Sequence, residues 1–382
     1  MTKKMKLRFN LAKMKICIIA LRSYQLFNKK IADPSGGAEM QLYLLAKELQ
    51  KSDLLDINFI VADYGQSAIE EYEKIKLWKS FNFNQNLIHQ IFCFFRIFSK
   101  VNADVYIQRT LTVFSGLIAI YCRIIRKKFV YMVAHDGETD NSLPVYNFWF
   151  NRILINLLFN QASLVIVQNN YELNNLKNKY PGLKIELLKK GLEIKELNHN
   201  KEPIYDCIWV GRCEKWKNPR IYVELAERNP SLKFIMILFP YENEPQFYDE
   251  MIRKSTHIAN LTLMDYMQND QIYELLSESR IFCFTSELEG DWPMVVLEAC
   301  ASGLAVVSYK LNYDLLIDDY HGGIFCHGNV DEMNDEIAKL PGNLELLSSM
   351  SKNAFKFVSE NHDIKGRAEQ CKNILMQFSK QG

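Results

Sequence analysis

Short apolar runs recur along the chain, separated by stretches whose apolar positions return at helical spacing. The runs "KICIIAL" (15–21), "INFIVA" (57–62), "DVYIQ" (104–108), "KFVYMVA" (128–134) and "SLVIVQ" (163–168) predict strands. Helical patterns lie between them at 37–50, 87–100, 112–126, 146–160 and 170–180. Strands that are apolar throughout, each followed by a helix, predict a parallel sheet covered on both faces. After the polar stretch "LLKKGLEIKELNHNKEP" the alternation restarts: "YDCIWVG" (205–211), "LKFIMIL" (232–238), "NLTLM" (260–264), "RIFCFTS" (280–286), "LAVVSY" (304–309) and "GGIFC" (322–326). The expectation is an α/β chain of two doubly wound units joined by a linker near 195–203. The segment 362–380 reads as a closing amphipathic helix. Open parallel sheets bind ligands beyond the carboxyl ends of their strands, so the residues after each strand, facing a cleft between the two units, are the ones to inspect.

The length of 382 residues agrees with two cores, and 48% hydrophobic with 24% charged residues is the balance of a globular protein in water. Nine cysteines form no C-x-x-C pair and no zinc-ligand spacing with histidine; most lie in apolar runs, as buried thiols in a reducing compartment do. The basic start "MTKKMKLRFNLAKMKICIIALRS" precedes too short an apolar core for a secretory signal, and reads as a first strand behind a basic tail. No segment has the length of a spanning helix. The net charge of +1 conceals an asymmetry: residues 1–195 hold 28 Lys/Arg against 16 Asp/Glu, about +12, and the remainder 18 against 29, about −11. A basic half predicts an anionic partner. Anionic lipid is more economical than nucleic acid, because Arg123, Arg126, Lys127 and Lys128 follow an apolar, aromatic run. The plain alternative is a solvated helix end.

Four places carry candidate chemistry. Gly36 and Gly37 precede an amphipathic helix with Glu39 in its first turn, where backbone N–H groups can approach an anion; the plain alternative is a turn. The stretch lacks G-x-G-x-x-G, which disfavours a nicotinamide dehydrogenase. His135 follows a buried strand, placed to hydrogen-bond a substrate hydroxyl or phosphate or else to satisfy loop carbonyls. Arg212, in a strand-exit loop, and Lys217, at a helix start, are two cations suited to a departing pyrophosphate; Lys215 and Arg220 read as surface charges. Last comes "SELEGDWPMVVLEACASG" (286–303), where Pro293 opens a helix, Asp291 or Trp292 caps it and Gly303 stops it. Glu298 falls on this nearly all-apolar helix, and a carboxylate there is costly without donors. A vicinal diol such as a ribose supplies two. Glu289, in the preceding loop, could reach a second polyol, while the amides of Gly290, Asp291 and Trp292 and the helix start hold charged groups of the same ligand.

Together these residues resemble the retaining nucleotide-sugar glycosyltransferases of glycosyltransferase family 4, over almost the whole chain. The family's GG-x-E loop looks like Gly36, Gly37 and Glu39; its strand-exit histidine like His135; its G-R-x4-K clamp like Gly211, Arg212 and Lys217; and its S-x-x-E-G-x-P…LEA-x-A-x-G segment like Ser286 to Gly303. The resemblance implies a GT-B fold. Residues 1–197 would form the acceptor-side unit, 198–360 the donor-side unit, and 361–382 a helix crossing back onto the first. It implies catalytic roles for Arg212, Lys217, Glu289 and His135, and donor binding by Glu298, residues 290–293, Gly36 and Gly37. It further implies retention through a short-lived oxocarbenium ion, no metal or other cofactor, a UDP-sugar more readily than a GDP-sugar, and a glycan or lipid-linked acceptor in cell-surface polysaccharide or glycoconjugate synthesis. The expected setting is cytoplasmic, peripheral at the inner membrane face. Two departures stand out. Eight residues separate Glu289 from Glu298 where the family has seven, a difference that a bulge at Gly290 could absorb or Asp291 could cover. Lys190-Gly191 stands where Asn-Gly is common. The spacing motivates an alternative: a weakly active or inactive GT-B protein that binds nucleotide sugars or serves as a partner subunit. A sugar-nucleotide epimerase is a more distant reading.

Overall fold

The run at 14–19 is buried from Ile16 onward on both sides, as a central parallel strand must be, and it heads a sheet built the same way. The computed structural model describes residues 13–28, 36–112, 114–195, 202–265, 267, 269–313 and 315–380. It divides into two compact units, Met1–Gly191 with Ile364–Gly382, and Leu192–Asp363. The expected linker includes 196–201, which lie outside the described residues.

In the first unit the strands are β1 (Met14–Ile19), β2 (Leu55–Val61), β3 (Ile69–Tyr72), β4 (Ile75–Lys79), β5 (Val105–Arg109), β6 (Lys128–Met132), β7 (Leu164–Val167) and β8 (Ile185–Leu187), in the order β3-β4-β2-β1-β5-β6-β7-β8. All neighbours are parallel except the β3–β4 hairpin. The helices are α1 (Tyr24–Phe27), α2 (Gly37–Leu49), α3 (Leu87–Val101), α4 (Ser115–Ile124), α5 (Gly137–Asp140), α6 (Trp149–Gln161) and α7 (Asn170–Lys179). One sheet face is covered by α2 and by the helix Ile364–Lys380, whose Ile364, Ala368, Cys371 and Leu375 are buried in the same core as Ile16, Leu45 and Val130. The other face is covered by α3, α4, α6 and α7. Helices α4 and α6 approach closely at Gly116, where an added Cβ would stand 2.1 Å from the Leu154 carbonyl oxygen.

In the second unit β9 (Tyr205–Arg212), β10 (Phe234–Phe239), β11 (Leu261–Met264), β12 (Ser279–Phe284), β13 (Ala305–Ser308) and β14 (Gly323–Phe325) form an all-parallel sheet in the order β11-β10-β9-β12-β13-β14. The helices are α8 (Pro219–Arg228), α9 (Pro245–Ser255), α10 (Asn269–Ser277), α11 (Met294–Ala301), α12 (Val330–Lys339) and α13 (Leu344–Asn361); the closing helix Ile364–Lys380 is α14. Helices α8, α9 and α12 cover one face, and α10 and α11 with the later turns of α13 cover the other.

The units change over at Gly191/Leu192 and again at Asp363/Ile364, rather than at 197/198 and 360/361. The side chains explain where. Gly191 is held in the first unit by Gln41, which donates to its carbonyl at 2.7 Å and accepts from its N–H at 2.9 Å. Leu192 is fully buried in the second unit and donates its N–H to the His362 carbonyl at 2.8 Å. Helix α4 is shorter than the expected 112–126, and α6 starts later than 146 because Pro144–Asn147 forms a separate 3-10 turn.

Candidate functional site

The end of β9 and the end of β12 are neighbours, since the two strands pair in the middle of the second sheet. Arg212 is the last residue of β9 rather than a loop residue. Lys217 closes the 3-10 turn Lys215–Lys217, and Asn218, in the left-handed region at φ 49°, then turns the chain into α8. This turn is tied to the end of β12: Thr285 donates its hydroxyl to the Lys217 carbonyl at 2.6 Å and accepts from the Trp209 indole at 2.8 Å. The Glu287 N–H donates to the Trp216 carbonyl at 2.8 Å. The two cations are therefore built into one strand-end platform.

Lys217 Nζ lies 2.6 Å from Glu289 Oε1, in a pair that is mostly shielded from solvent, and 4.2 Å from the centre of the Trp216 ring. Ser286 donates to the same carboxylate oxygen at 3.3 Å. Arg212 is more open; its guanidinium meets Glu214 Oε1 at 2.9 Å and lies over the Tyr241 ring. Glu214 is buried, with Oε2 lacking any hydrogen-bond partner. Burial raises its pKa, and Arg212 and Lys217 offset part of the rise. Lys215 and Arg220 face outward and pair with Glu244 and Glu250.

Trp292 anchors the loop between the two glutamates. Its ring is fully buried against Phe284 and edge-on to Tyr313, and its indole N–H donates to the Tyr313 carbonyl. Tyr313 in turn donates its hydroxyl to the Glu289 carbonyl. The loop is pinned at both ends, with Glu289 beside Lys217. Gly290 does not adopt the left-handed φ that a bulge there would use; among the described glycines Gly65, Gly303 and Gly328 do. Asp291 accepts from the Trp292 N–H at 2.8 Å. The helix cap is Pro293, extended at ψ 153°, so Asp291 and Trp292 are not caps and Pro293 is not the first helical residue. Gly303, at φ 80°, ends the helix as read from the sequence.

Glu298 lies four residues into α11, roughly 6 Å along its axis. It shares the half-buried side of the helix with Met294, Val295 and Ser302, while Val296, Leu297, Ala299 and Cys300 face the core. Burial raises its pKa to about 7, and a hydrogen bond from the Tyr273 hydroxyl on α10 offsets part of that rise. Tyr273 is itself raised, first by burial and then by Glu298, and Lys195 Nζ sits 4.9 Å from its ring centre. Tyr273 was not legible as the partner of Glu298, because only the packing of α10 on α11 brings the two together.

The first unit collects its own polar groups at the carboxyl ends of β5, β6 and β7. His135 is exposed, and its Nδ1 accepts from the Gly137 N–H at 3.0 Å, so the neutral ring carries its proton on Nε2, ready to donate. Glu138 holds this loop, accepting from the Tyr131 hydroxyl at 2.8 Å and the Ala134 N–H at 3.2 Å; burial raises its pKa to about 7. Beneath it Arg109 donates to Gln168 at 2.7 Å, and Glu172 accepts from the Gln168 N–H at 2.7 Å. Sequence reasoning passed over this network, whose signal is a charged or amide residue directly after each apolar run. Gly36 caps α2 and Gly37 is its first residue; both are exposed, with Glu39 in the first turn. Lys128, grouped above with Arg123, Arg126 and Lys127, donates to the carbonyls of Phe378 at 2.8 Å and Ser379 at 3.1 Å. Among the described residues no group of three or more His, Cys, Asp or Glu side chains could hold a metal ion.

A model of the glycosyl transferases group 1 family matches residues 190–357. The chain is 23% identical, over 89% of its length and 94% of the other's, to the uncharacterized glycosyltransferase MJ1069 of Methanocaldococcus jannaschii. Among solved structures it is similar to Alr3699/HepE of Anabaena in complex with UDP and glucose (TM-score 0.72, 17% identity, 95% of this chain and 100% of that one). It is also similar to sucrose-phosphate synthase from Thermosynechococcus elongatus (TM-score 0.76, 13% identity, 97% and 100%). The chain is a glycosyltransferase of the GT-B fold, with the glycosyl transferases group 1 match in its second unit.

Proposed function

We propose that the protein transfers a sugar from a UDP-sugar, with retention of anomeric configuration, to a glycan or lipid-linked acceptor in cell-surface polysaccharide or glycoconjugate synthesis. The observation that carries the reading is the half-buried Glu298, the one carboxylate of an apolar helix in the same unit as Arg212 and Lys217. Glu298 accepts from the two ribose hydroxyls. Arg212 and Lys217 hold the diphosphate, and they gain most as its negative charge grows on cleavage of the glycosidic bond. Lys217 then exchanges a carboxylate partner for a phosphate, which frees Glu289 to accept from hydroxyls of the transferred sugar. In the first unit, His135 offers Nε2–H to a sugar hydroxyl or phosphate, and Gly36 and Gly37 offer backbone N–H groups. The charge offset comes from side chains, so the scheme requires no metal. The choice of UDP is supported by similar structures solved with UDP and with UDP-glucose. The basic first unit would meet its acceptor at the cytoplasmic face of a membrane.

The test is to incubate the protein with a panel of UDP- and GDP-sugars, follow nucleotide release, and read the anomeric configuration of any product by NMR. The expected result is release from one UDP-sugar and a product of unchanged configuration. An inverted product, or release from GDP-sugars alone, would contradict the reading. Tight nucleotide binding with no turnover would favour a binding protein.

A further inference from the structure

Helices α3, α4 and α6 lie side by side on one face of the first sheet. Phe95 and Phe98 of α3 pack on Tyr121 of α4, and α4 meets α6 at Gly116. Together these helices contain no Asp or Glu, whereas Arg96, Lys100, Arg123 and Arg152 are exposed on them. Their outward side is also apolar. Ile88 is 81% exposed, Phe92 64%, Trp149 73% and Phe150 54%, and Ile88, Phe92 and Phe95 line an open groove of about 780 Å³ along α3. Each helix leads from one parallel strand to the next, so all three start beyond the carboxyl ends of the strands. The apolar starts of α3 and α6 therefore share that end of the sheet. Such exposure is unusual for a surface facing water alone.

We infer that this acid-free helical layer docks on an anionic lipid bilayer, with Ile88, Phe92, Trp149 and Phe150 entering the headgroup–acyl boundary and Arg96 and Arg152 meeting lipid phosphates. A bilayer supplies apolar depth and negative surface charge together, which is what the layer lacks. A second copy packed on this face by two-fold symmetry would set the same cations against each other. The aromatic side chains suit the boundary, where rings settle at headgroup level. The inference extends the membrane reading above and rests on it, but it uses none of the donor residues, so vesicle binding and nucleotide release are scored separately.

The experiment is flotation of the full chain with phosphatidylcholine vesicles, with and without phosphatidylglycerol, at low and high salt. Wild type should float with the anionic vesicles, less so at high salt, and brominated lipid should quench the exposed Trp149. Phe92→Glu with Trp149→Glu, and separately Arg96→Glu with Arg152→Glu, should each lower partition by about tenfold or more. Both variants should keep the wild-type melting temperature, since the altered side chains are on the surface. Failure of wild type to bind anionic vesicles, equal binding to neutral ones, or unaltered binding by folded variants would overturn the inference. So would a dimer that these substitutions dissociate, which would make the layer a self-interface.

Discussion

Glu298 combines a raised pKa with a place on an otherwise apolar helix. Its pKa in the folded chain is about 7 against an ordinary 4.5. Between those values the folded chain keeps a proton that the unfolded chain has released. Stability from this group is therefore present below pH 4.5, falls as pH rises, and is lost above 7. Glu298→Gln removes the effect. The variant without nucleotide should be more stable than wild type by ~2 kcal/mol at pH 8, about 4–8 °C in melting temperature, with the difference vanishing near pH 4.5. Calorimetry across that range checks it; a variant less stable than wild type at pH 8 would refute the assignment. Lys217→Ala should cost ~10²-fold or more in turnover, as loss of a charge-stabilising donor does. Lys215→Ala, whose partner Glu244 is on the surface, should leave steady-state rates nearly unchanged. Glu298, Arg212 and Lys217 could be singled out as candidates because a charge at the end of an apolar strand or on an apolar helix stands out in one dimension. Tyr273, Glu214 and Tyr313 were not, because their roles come from elements that meet only in three.

At the level of elements, the loop before α11 is held by aromatic residues. Trp292 sinks into the core and Tyr313 clamps both its indole and the Glu289 carbonyl, so Glu289 stays beside Lys217. Trp292→Ala should cost ~3–5 kcal/mol, as for other buried aromatics, and should weaken donor turnover further by releasing Glu289. Thermal melting combined with kinetics on the folded fraction separates the two effects; a stable variant with wild-type turnover would contradict the clamp. The long apolar strands and the larger helices were readable from periodicity, because burial on both faces leaves little room for polar residues. The β3–β4 hairpin was missed for the opposite reason. It lies at the sheet edge, where "IEEY" is half in water and shows no apolar run. Strand β8, three residues at the other edge, was hidden likewise.

At the scale of the whole molecule, α14 is part of the first unit although it follows the second in sequence. Its Cys371 and Leu375 are fully buried on the same sheet face as α2. Removal of residues 364–382 should therefore unfold or loosen the first unit and spare the second. Hydrogen exchange would show this as lost protection in β1, β2 and α2, with β9, β10 and β12 unchanged; the reverse pattern would contradict the division into units. The two-unit organisation was legible from the restart of alternation, but the sharp change at Gly191/Leu192 was not. It depends on Gln41, far away in sequence, gripping Gly191.

The most direct measurement is calorimetric binding of UDP and of 2′-deoxy-UDP to wild type and to Glu298→Ala. If the carboxylate accepts from the ribose diol, wild type should prefer UDP over the deoxy nucleotide by at least about tenfold, given the usual worth of a hydrogen bond to a charged group. The alanine variant should bind UDP weakly and no longer distinguish the two. A wild type indifferent to the missing hydroxyl, or a variant that still discriminates, would show that Glu298 does not hold the ribose.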